Sequence, residues 1–185
     1  MLKDSIMWYT SWLDSPYYHI LYKDRNLKEA KDFVDNITNY LSLEKGEKVL
    51  DLACGKGRHS IYLNTLGFDV IGADLSKNSI QYASQFENDT LKFTVHDMSK
   101  PYPEKFSAIF NLFTSFGYFD KETDNLSTLK SIKSGLNKNG VGVIDFMNVD
   151  FVIDNLVAEE VKKIDAITFY IIKFYVEGYI YIEIR

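Results

Sequence analysis

Residues 49–60, VLDLACGKGRHS, decide the fold of this chain. They join a short apolar run that contains Asp51 to a segment with helical periodicity, and Gly55 and Gly57 stand between the two. Glycines in such a connection let the backbone turn tightly and let a ligand approach it closely. A Gly-x-Gly pair alone is a weak signal, so its meaning depends on the segments around it.

Strand and helix patterns alternate on both sides of this loop. Apolar residues at spacings of three and four predict helices, and short apolar runs bounded by turn residues predict strands. The predicted helices are 26–43, 58–66, 76–86 with Ser76 as its cap, and 126–136 before a turn at 137–140; the predicted strands are 48–52, 68–73, 91–95, 106–113 and 141–146. The alternation predicts an α/β fold, a Rossmann-like doubly wound and mostly parallel sheet with helices on both faces.

Composition favours one globular domain of 185 residues, with 46% hydrophobic and 25% charged residues. The net charge of −5 comes without a run of Lys or Arg, which disfavours nucleic acid as a partner. Neither a secretory signal nor an apolar stretch near the ~20 residues of a membrane span is present in the sequence. A single cysteine, Cys54, suits a reducing compartment, so we expect a cytoplasmic protein.

The predicted organisation is one domain over 1–185, with an N-terminal helical and aromatic cap at 1–45, a ligand-binding core at 46–150 and an extension at 151–185. Within the extension, 167–176 and 179–185 predict an antiparallel hairpin. The final residues still have a strand pattern, so we expect the chain to be part of a longer protein. The hairpin either covers a substrate site or presents an edge that pairs with a second chain in a homodimer.

Carboxylates follow three neighbouring strands of the predicted sheet. Asp51 ends the first strand, Asp74 the second, and Asp97 follows the third. Because ligands of open α/β sheets bind at the carboxyl ends of the strands, these three side chains are candidate binding groups. Each also has a purely structural interpretation, since aspartate commonly caps turns.

The pattern Asp51-x-Ala53-x-Gly55-x-Gly57, with the later carboxylates, resembles the class I S-adenosylmethionine-dependent methyltransferase superfamily over about residues 48–148. Ala53 stands where the first glycine is common. Two segments, 54–60 and 111–119 (NLFTSFGYF), are similar to a branch that acts on small molecules. The resemblance implies S-adenosylmethionine as cofactor and in-line transfer of its methyl group to a small-molecule acceptor.

The resemblance also implies a role for each cofactor-binding residue. Asp74 would accept hydrogen bonds from the ribose hydroxyls, Asp97 from the adenine amino group, and Asp51 would lie near the cofactor's ammonium. Leu75 and Met98 would sandwich the adenine or, alternatively, belong to the core. The full implied set is Asp51, Ala53, Cys54, Gly55, Gly57, Arg58, Asp74, Leu75, Asp97, Met98 and Asn111, in which Cys54 is interpreted as a packing residue rather than a nucleophile.

No residue is identified as catalytic, because in-line transfer from a sulfonium mainly requires alignment of the acceptor and exclusion of water. His19 and His59 are weak candidates for a general base. His96 precedes the adenine-side carboxylate and lies on the wrong side. Arg58 either meets a carboxylate of a ligand or is a solvated helix residue.

The acceptor is expected to approach at 111–119, which follows the fourth strand. Phe113, Ser115, Phe116 and Tyr118 are candidate pocket residues, and Tyr18 and Tyr22 are further candidates from the aromatic segment before the core. The Asn/Asp-Pro-Pro-aromatic pattern of many amino-group methyltransferases is absent from the sequence. Its absence weakens methylation of adenine or DNA.

Two other functions stay open. Gly55-x-Gly57-x-x-Ser60 partly matches the dinucleotide fingerprint of an NAD-dependent oxidoreductase, although Asp51 would repel a pyrophosphate. The second is a cofactor-binding module without catalytic activity. The scattered histidines and the single cysteine have no metal-ligand spacing, so no metal is predicted.

Overall fold

The computed structural model of this chain describes Trp12 and residues 15–22, 27–119 and 121–185, with the backbone alone at His19, Leu27 and Glu29. The described residues form two compact units. The larger unit contains 27–119 and 121–146, and the smaller contains 16–22 and 147–185.

The larger unit is built on a parallel sheet of five described strands. They are β1 (Lys48–Leu52), β2 (Asp69–Asp74), β3 (Leu91–Val95), β4 (Phe106–Asn111) and β5 (Leu136–Ile144), in the order β3-β2-β1-β4-β5. Every neighbouring pair is parallel. The chain therefore adds strands outward from β1 to β3 and then crosses to the other side of β1, which makes β1 and β4 the switch point where ligands bind in such sheets.

Helices connect β1 to β2, β2 to β3 and β4 to β5, as the sequence predicts. They are α1 (Pro16–Leu21), α2 (Leu27–Tyr40), α3 (Arg58–Thr65), α4 (Lys77–Ala83, continued by a 3₁₀ turn at Ser84–Phe86), α5 (Glu122–Gly135) and α6 (Val149–Asp154). The predicted cap of α4 is confirmed, because the Ser76 hydroxyl accepts the backbone N–H of Ser79 at 3.0 Å. Helix α5 begins four residues earlier than predicted, with Glu122 and Asp124 in its first turn, where acidic residues complement the helix dipole.

Alternation along the strands places the helices on both faces of the sheet. Val49 packs with buried side chains from α2, α3 and α4, whereas its neighbour Leu50 packs on the opposite face with Ile132 of α5. Successive side chains of a strand point to opposite faces, so a continuous apolar run fits a sheet that is covered on both sides. The predicted doubly wound architecture is confirmed.

Strand β5 differs from its prediction. A turn was expected at 137–140, but β5 begins at Leu136, which pairs with Phe106, while Val141 pairs with Ala108. Between these two pairs β5 advances by five residues and β4 by only two. Residues 137–140 therefore form an irregular part of β5. A Cβ atom on Gly140 would lie 2.8 Å from the Phe106 carbonyl oxygen, so only glycine fits there.

The smaller unit contains an antiparallel sheet of β6 (Glu159–Ile164), β7 (Ile167–Val176) and β8 (Tyr179–Ile184). The predicted hairpin is the β7–β8 pair. Its turn residues, Glu177 and Gly178, both have positive φ (51° and 86°), as a two-residue hairpin turn requires. Strand β6 was not predicted. In the part of the chain that the structure describes, no helix has both the length and the apolar character needed to cross a membrane.

Candidate functional site

The glycine loop, residues 53–57, leaves the end of β1 and is held against β2. The backbone N–H groups of Ala53 and Cys54 both donate to the Ala73 carbonyl, at 2.7 and 3.1 Å. Ala53, Gly55 and Gly57 have φ of 65°, 56° and 80°. The left-handed region is comfortable for glycine and costs other residues about 1–2 kcal/mol, so Ala53 is held there by its neighbours.

The two glycines serve different purposes. A Cβ atom on Gly57 would lie 2.6 Å from the Phe93 ring, so this glycine lets α3 pack closely on the sheet. A Cβ atom on Gly55 would meet nothing within 4 Å. Gly55 therefore faces open space, where a ligand can approach the backbone.

Asp74, at the end of β2, holds the glycine loop in place through hydrogen bonds. One carboxylate oxygen accepts the N–H of Gly55 and the other accepts the N–H of Ser76, both at 2.8 Å. The carboxylate thus has a fixed orientation at the mouth of the glycine loop.

Asp51 is almost fully buried, with 1% of its surface exposed. Burial raises its pKa from 3.8 to about 6; the Ser60 hydroxyl, which donates to Asp51 at 2.6 Å, works in the opposite direction, and the nearby Asp74 adds to the rise. The sequence interpretation treated Ser60 only as a departure from the dinucleotide fingerprint. Its role depends on helix α3 bringing residue 60 back onto β1, and no sequence pattern signals that contact.

The third carboxylate, Asp97, holds a turn. One of its oxygens accepts both the N–H and the hydroxyl of Ser99, at 2.9 and 2.7 Å. Its neighbour Met98 packs on the core cluster that contains Leu50, and Leu75 is half-buried. The turn-capping interpretation of Asp97 and the ligand-binding one are both compatible with this geometry.

Asn111 joins the ends of β4 and β1 at the switch point. Its side chain is fully buried, and its amide donates to the Leu52 carbonyl at 2.9 Å. Among the described residues, no group donates to its Oδ1 atom. Buried side-chain oxygens nearly always accept a hydrogen bond. The Oδ1 atom of Asn111 is therefore a buried acceptor at the site that could receive a donor from a ligand.

Arg58 and His59 open helix α3 and clamp the ring of Phe113. The His59 ring stacks on Phe113 at 4.8 Å between centroids, and the Arg58 guanidinium carbon lies 4.6 Å from the same ring. Burial, together with the Arg58 charge, lowers the pKa of His59 to about 3. Cys54 is also buried, which raises the pKa of its thiol well above the ordinary value and disfavours a thiolate nucleophile.

Phe113 belongs to the β4 loop, residues 112–119. Phe113 and Thr114 both have left-handed backbones, with φ of 58° and 57°. The N–H of Phe113 donates to an Asp145 oxygen at 2.8 Å, and the Ser115 hydroxyl donates to the Leu112 carbonyl at 2.8 Å. Asp145, just beyond the end of β5, was not identified from the sequence.

The remaining predicted residues lie in different places. Phe116 and Tyr118 are half-buried in the β4 loop. Tyr18 and Tyr22 lie in the smaller unit with their ring centroids 5.0 Å apart. The His19 side chain lies outside the described residues. The described part of the chain contains no cluster of three His, Cys, Asp or Glu that suits a metal ion.

Comparison with known proteins identifies a family. Residues 43–172, which include the sheet, the glycine loop and the β4 loop, match the family model described as a methyltransferase domain. The match covers more than half of the chain.

A relative of known activity agrees with this family, and solved structures agree with the fold. The chain is 33% identical to the glycine/sarcosine N-methyltransferase of Aphanothece halophytica over 138 residues, which are 70% of this chain and 50% of that protein. A crystal structure of an S-adenosylmethionine-dependent methyltransferase from Clostridium acetobutylicum aligns over 91% of this chain and 70% of that chain, with 21% identity and a TM-score of 0.74. An amino-pentose methyltransferase from Micromonospora echinaspora aligns over 92% and 81%, with 17% identity and a TM-score of 0.67. The chain spans about half the length of the glycine/sarcosine enzymes that it matches.

Proposed function

This chain belongs to the methyltransferase-domain family, and we propose that it uses S-adenosylmethionine to methylate a small-molecule acceptor. Bound S-adenosylmethionine supplies the methyl group that its cationic sulfur carries. After transfer, the rest of the cofactor leaves as a neutral thioether. The observation that carries the proposal is the position of two carboxylates, Asp51 and Asp74, beside a glycine loop at the switch point. Negative charge there favours a cationic nucleoside over a diphosphate.

Two features of the described residues fit this cofactor. Gly55 leaves open space above the loop backbone, so a ligand can lie against it. The buried Oδ1 of Asn111 requires a donor, and a ligand N–H is a group of the right kind. Both features lie at the carboxyl edge of the sheet, beside the ends of β1 and β4.

The carboxylates hold different parts of the cofactor in this proposal. Asp74 accepts the ribose hydroxyls, since a carboxylate has about four acceptor positions and the backbone donors already fix its orientation. Asp51 provides the negative charge near the ammonium, and Asp97, Leu75 and Met98 surround the adenine. The backbone of Ala53, Gly55 and Asn111 lines the remainder, and Cys54, Gly57 and Arg58 complete the proposed cofactor-binding set.

We further propose that His59 aligns the site rather than acting as a general base. With a pKa of about 3 its imidazole is neutral at physiological pH and a poor proton acceptor. Stacking on Phe113 instead connects the helix after the glycine loop to the first turn of the β4 loop. His59 thereby holds the proposed cofactor site and the proposed acceptor site at a fixed distance from each other.

The acceptor that we propose is a small molecule that enters beside the β4 loop. Phe113, Ser115, Phe116 and Tyr118 lie in that loop, whereas Tyr18 and Tyr22 belong to the smaller unit and stay predictions from the sequence. The net charge of −5 supports a small molecule over nucleic acid. Glycine and sarcosine are the first acceptors to test, because the relatives with 33% and 31% identity are named for them.

Calorimetric titration with S-adenosylmethionine, S-adenosylhomocysteine and NADH tests the cofactor. We expect the first two to bind and Asp74→Ala to raise their Kd at least ten-fold, because the ribose loses its acceptor and the loop its anchor. Asp89→Ala, which removes an exposed carboxylate elsewhere in the same unit, is the matched control and should leave the Kd unchanged. Circular dichroism confirms that both variants are folded.

Each other outcome has a distinct meaning. NADH binding that exceeds S-adenosylhomocysteine binding would favour the oxidoreductase. Cofactor binding without production of S-adenosylhomocysteine, across a panel of small amines and hydroxyl compounds, would favour a binding module without catalytic activity. Binding that Asp74→Ala and Asp89→Ala affect equally would refute the assigned role of Asp74.

A further inference from the structure

The entrance of the β4 loop has an unusual backbone. Phe113 and Thr114 are consecutive residues in the left-handed region, and neither is glycine. Such a conformation costs about 1–2 kcal/mol for each residue, so it persists only where neighbouring groups hold it. The contacts that hold it identify the residues that control the shape of the loop.

Asp145 makes two of these contacts, one with its side chain and one with its backbone. Its carboxylate accepts the N–H of Phe113 at 2.8 Å, and its own N–H donates to the carbonyl of Asn111 at 2.9 Å. The first contact closes the left-handed turn, and the second continues the β4–β5 pairing. Asp145 therefore connects the last residue of β4 with the first turn of the loop.

The residue after Asp145 lies beside the other end of the same loop. A Cβ atom on Gly117 would lie 3.4 Å from the ring of Phe146, and Gly117 itself has a φ of 91°. The dipeptide that follows β5 thus binds the loop near its beginning, through Asp145, and lies beside it near its end. Both positions lie in the larger unit.

We propose that Asp145 is a positioning residue for methyl transfer, which fixes the β4 loop in the shape that receives the acceptor. The proposal rests on the proposed function of this site. Asp145 acts through the N–H of Phe113 and does not itself contact the reacting atoms. What the loop requires from residue 145 is a hydrogen-bond acceptor, and a negative charge is not essential.

The ring of Phe113 is held separately from its backbone. Arg58, His59 and Phe33 surround the ring, with Phe33 at 5.8 Å in an edge-on arrangement. Loss of the Asp145 carboxylate should consequently release the backbone at Phe113, while the Phe113 ring keeps its contacts with Arg58, His59 and Phe33. The expected defect is local, and the glycine loop should be unaffected.

A pair of substitutions of similar shape tests the role of the acceptor atom. Asp145→Asn keeps an oxygen that can accept the Phe113 N–H, whereas Asp145→Leu has nearly the same shape without an acceptor. Asp145→Ala is a second variant that lacks the acceptor, in case leucine perturbs folding. The control is Asp89→Ala, which removes an exposed carboxylate of the same unit.

Three measurements on the full chain separate the possible outcomes. Hydrogen exchange with mass spectrometry follows the amides of 112–116, titration follows S-adenosylhomocysteine, and release of S-adenosylhomocysteine follows turnover of an amine that the unsubstituted chain methylates. For the leucine and alanine variants we expect exchange at 112–116 at least ten-fold faster, an unchanged Kd and a kcat at least ten-fold lower. For the asparagine variant we expect all three values within about two-fold of the unsubstituted chain.

Unchanged exchange or unchanged kcat in both variants without the acceptor would overturn the proposal. An asparagine variant that behaves like the leucine variant would also overturn it, since the acceptor atom would then not be the reason. If the unsubstituted chain binds no S-adenosylhomocysteine or methylates none of the small amines and hydroxyl compounds of the panel, the proposed function fails. The exchange at 112–116 still decides in that case whether Asp145 fixes the loop.

Discussion

Asp51 illustrates at the scale of one residue how a binding group affects folding. The folded chain retains the Asp51 proton up to about pH 6, whereas the ordinary pKa is 3.8. Between these values the folded state binds more protons than the unfolded state, so the free energy of unfolding falls as pH rises. The charge that we propose to act on the cofactor is thus retained at a cost to stability.

We predict that Asp51→Asn stabilises the protein at neutral pH. A shift of about 2 units corresponds to about 3 kcal/mol, and asparagine still offers an oxygen to the Ser60 hydroxyl. Urea unfolding of both proteins at pH 4 and pH 7 should give a gain near zero at pH 4 and up to about 3 kcal/mol at pH 7. The same gain at both pH values would contradict the prediction, and Asp89→Asn provides the comparison for an exposed carboxylate.

The candidate site was predictable where its residues end the predicted strands or form the glycine loop between strand and helix. Asp51, Gly55 and Asp74 follow strands that the apolar pattern reveals, and the loop joins them. Ser60 and Asp145 were missed because only their hydrogen bonds, to the Asp51 carboxylate and from the Phe113 N–H, bring them into the candidate site. Such pairings depend on how a helix or a neighbouring strand is placed, which local patterns do not encode.

At the scale of elements, the prediction succeeded for strands with an apolar pattern and was weaker for polar segments. The central strand β1 and the edge strand β3 both have the predicted bounds, because short apolar segments between turns have few other interpretations. Strand β5 was predicted to begin at Val141, since the polar segment 137–140 is typical of a turn. Strand β6 was missed because its sequence, EEVKKI, is mostly charged, which is common in edge strands.

The irregular part of β5 leads to a prediction for Gly140. A Cβ atom there would lie 2.8 Å from the Phe106 oxygen and 3.1 Å from the Ser107 oxygen. Both are backbone atoms of the neighbouring strand, which cannot rotate away as side chains do. Gly140→Ala should therefore lower the free energy of unfolding by about 1–3 kcal/mol.

Thermal and urea unfolding measure the effect of Gly140→Ala, with Lys138→Ala as the control at an exposed position of the same irregular part. The lysine substitution should change stability by less than about 0.5 kcal/mol. Equal effects of the two substitutions would mean that β5 adjusts easily and that the tight packing at residue 140 has no energetic consequence.

At the scale of the whole molecule, the sequence predicted one domain over 1–185, and the described residues form two compact units. Both core clusters and every carboxylate of the proposed cofactor site lie in the larger unit. The predicted homodimer stays a prediction. What requires an experiment is whether the larger unit depends on the smaller one for folding.

We predict that a fragment of residues 24–146 folds cooperatively and binds S-adenosylhomocysteine. The fragment keeps the five-stranded sheet, helices α2 to α5 and the glycine loop, so its apolar faces are covered by its own helices. Circular dichroism during urea unfolding should give one transition, and titration with the ligand should give a Kd within about five-fold of that of the full chain. A fragment that unfolds without cooperativity would instead support a single interdependent domain, and the larger unit would then have to be regarded as an incomplete core that the rest of the chain stabilises.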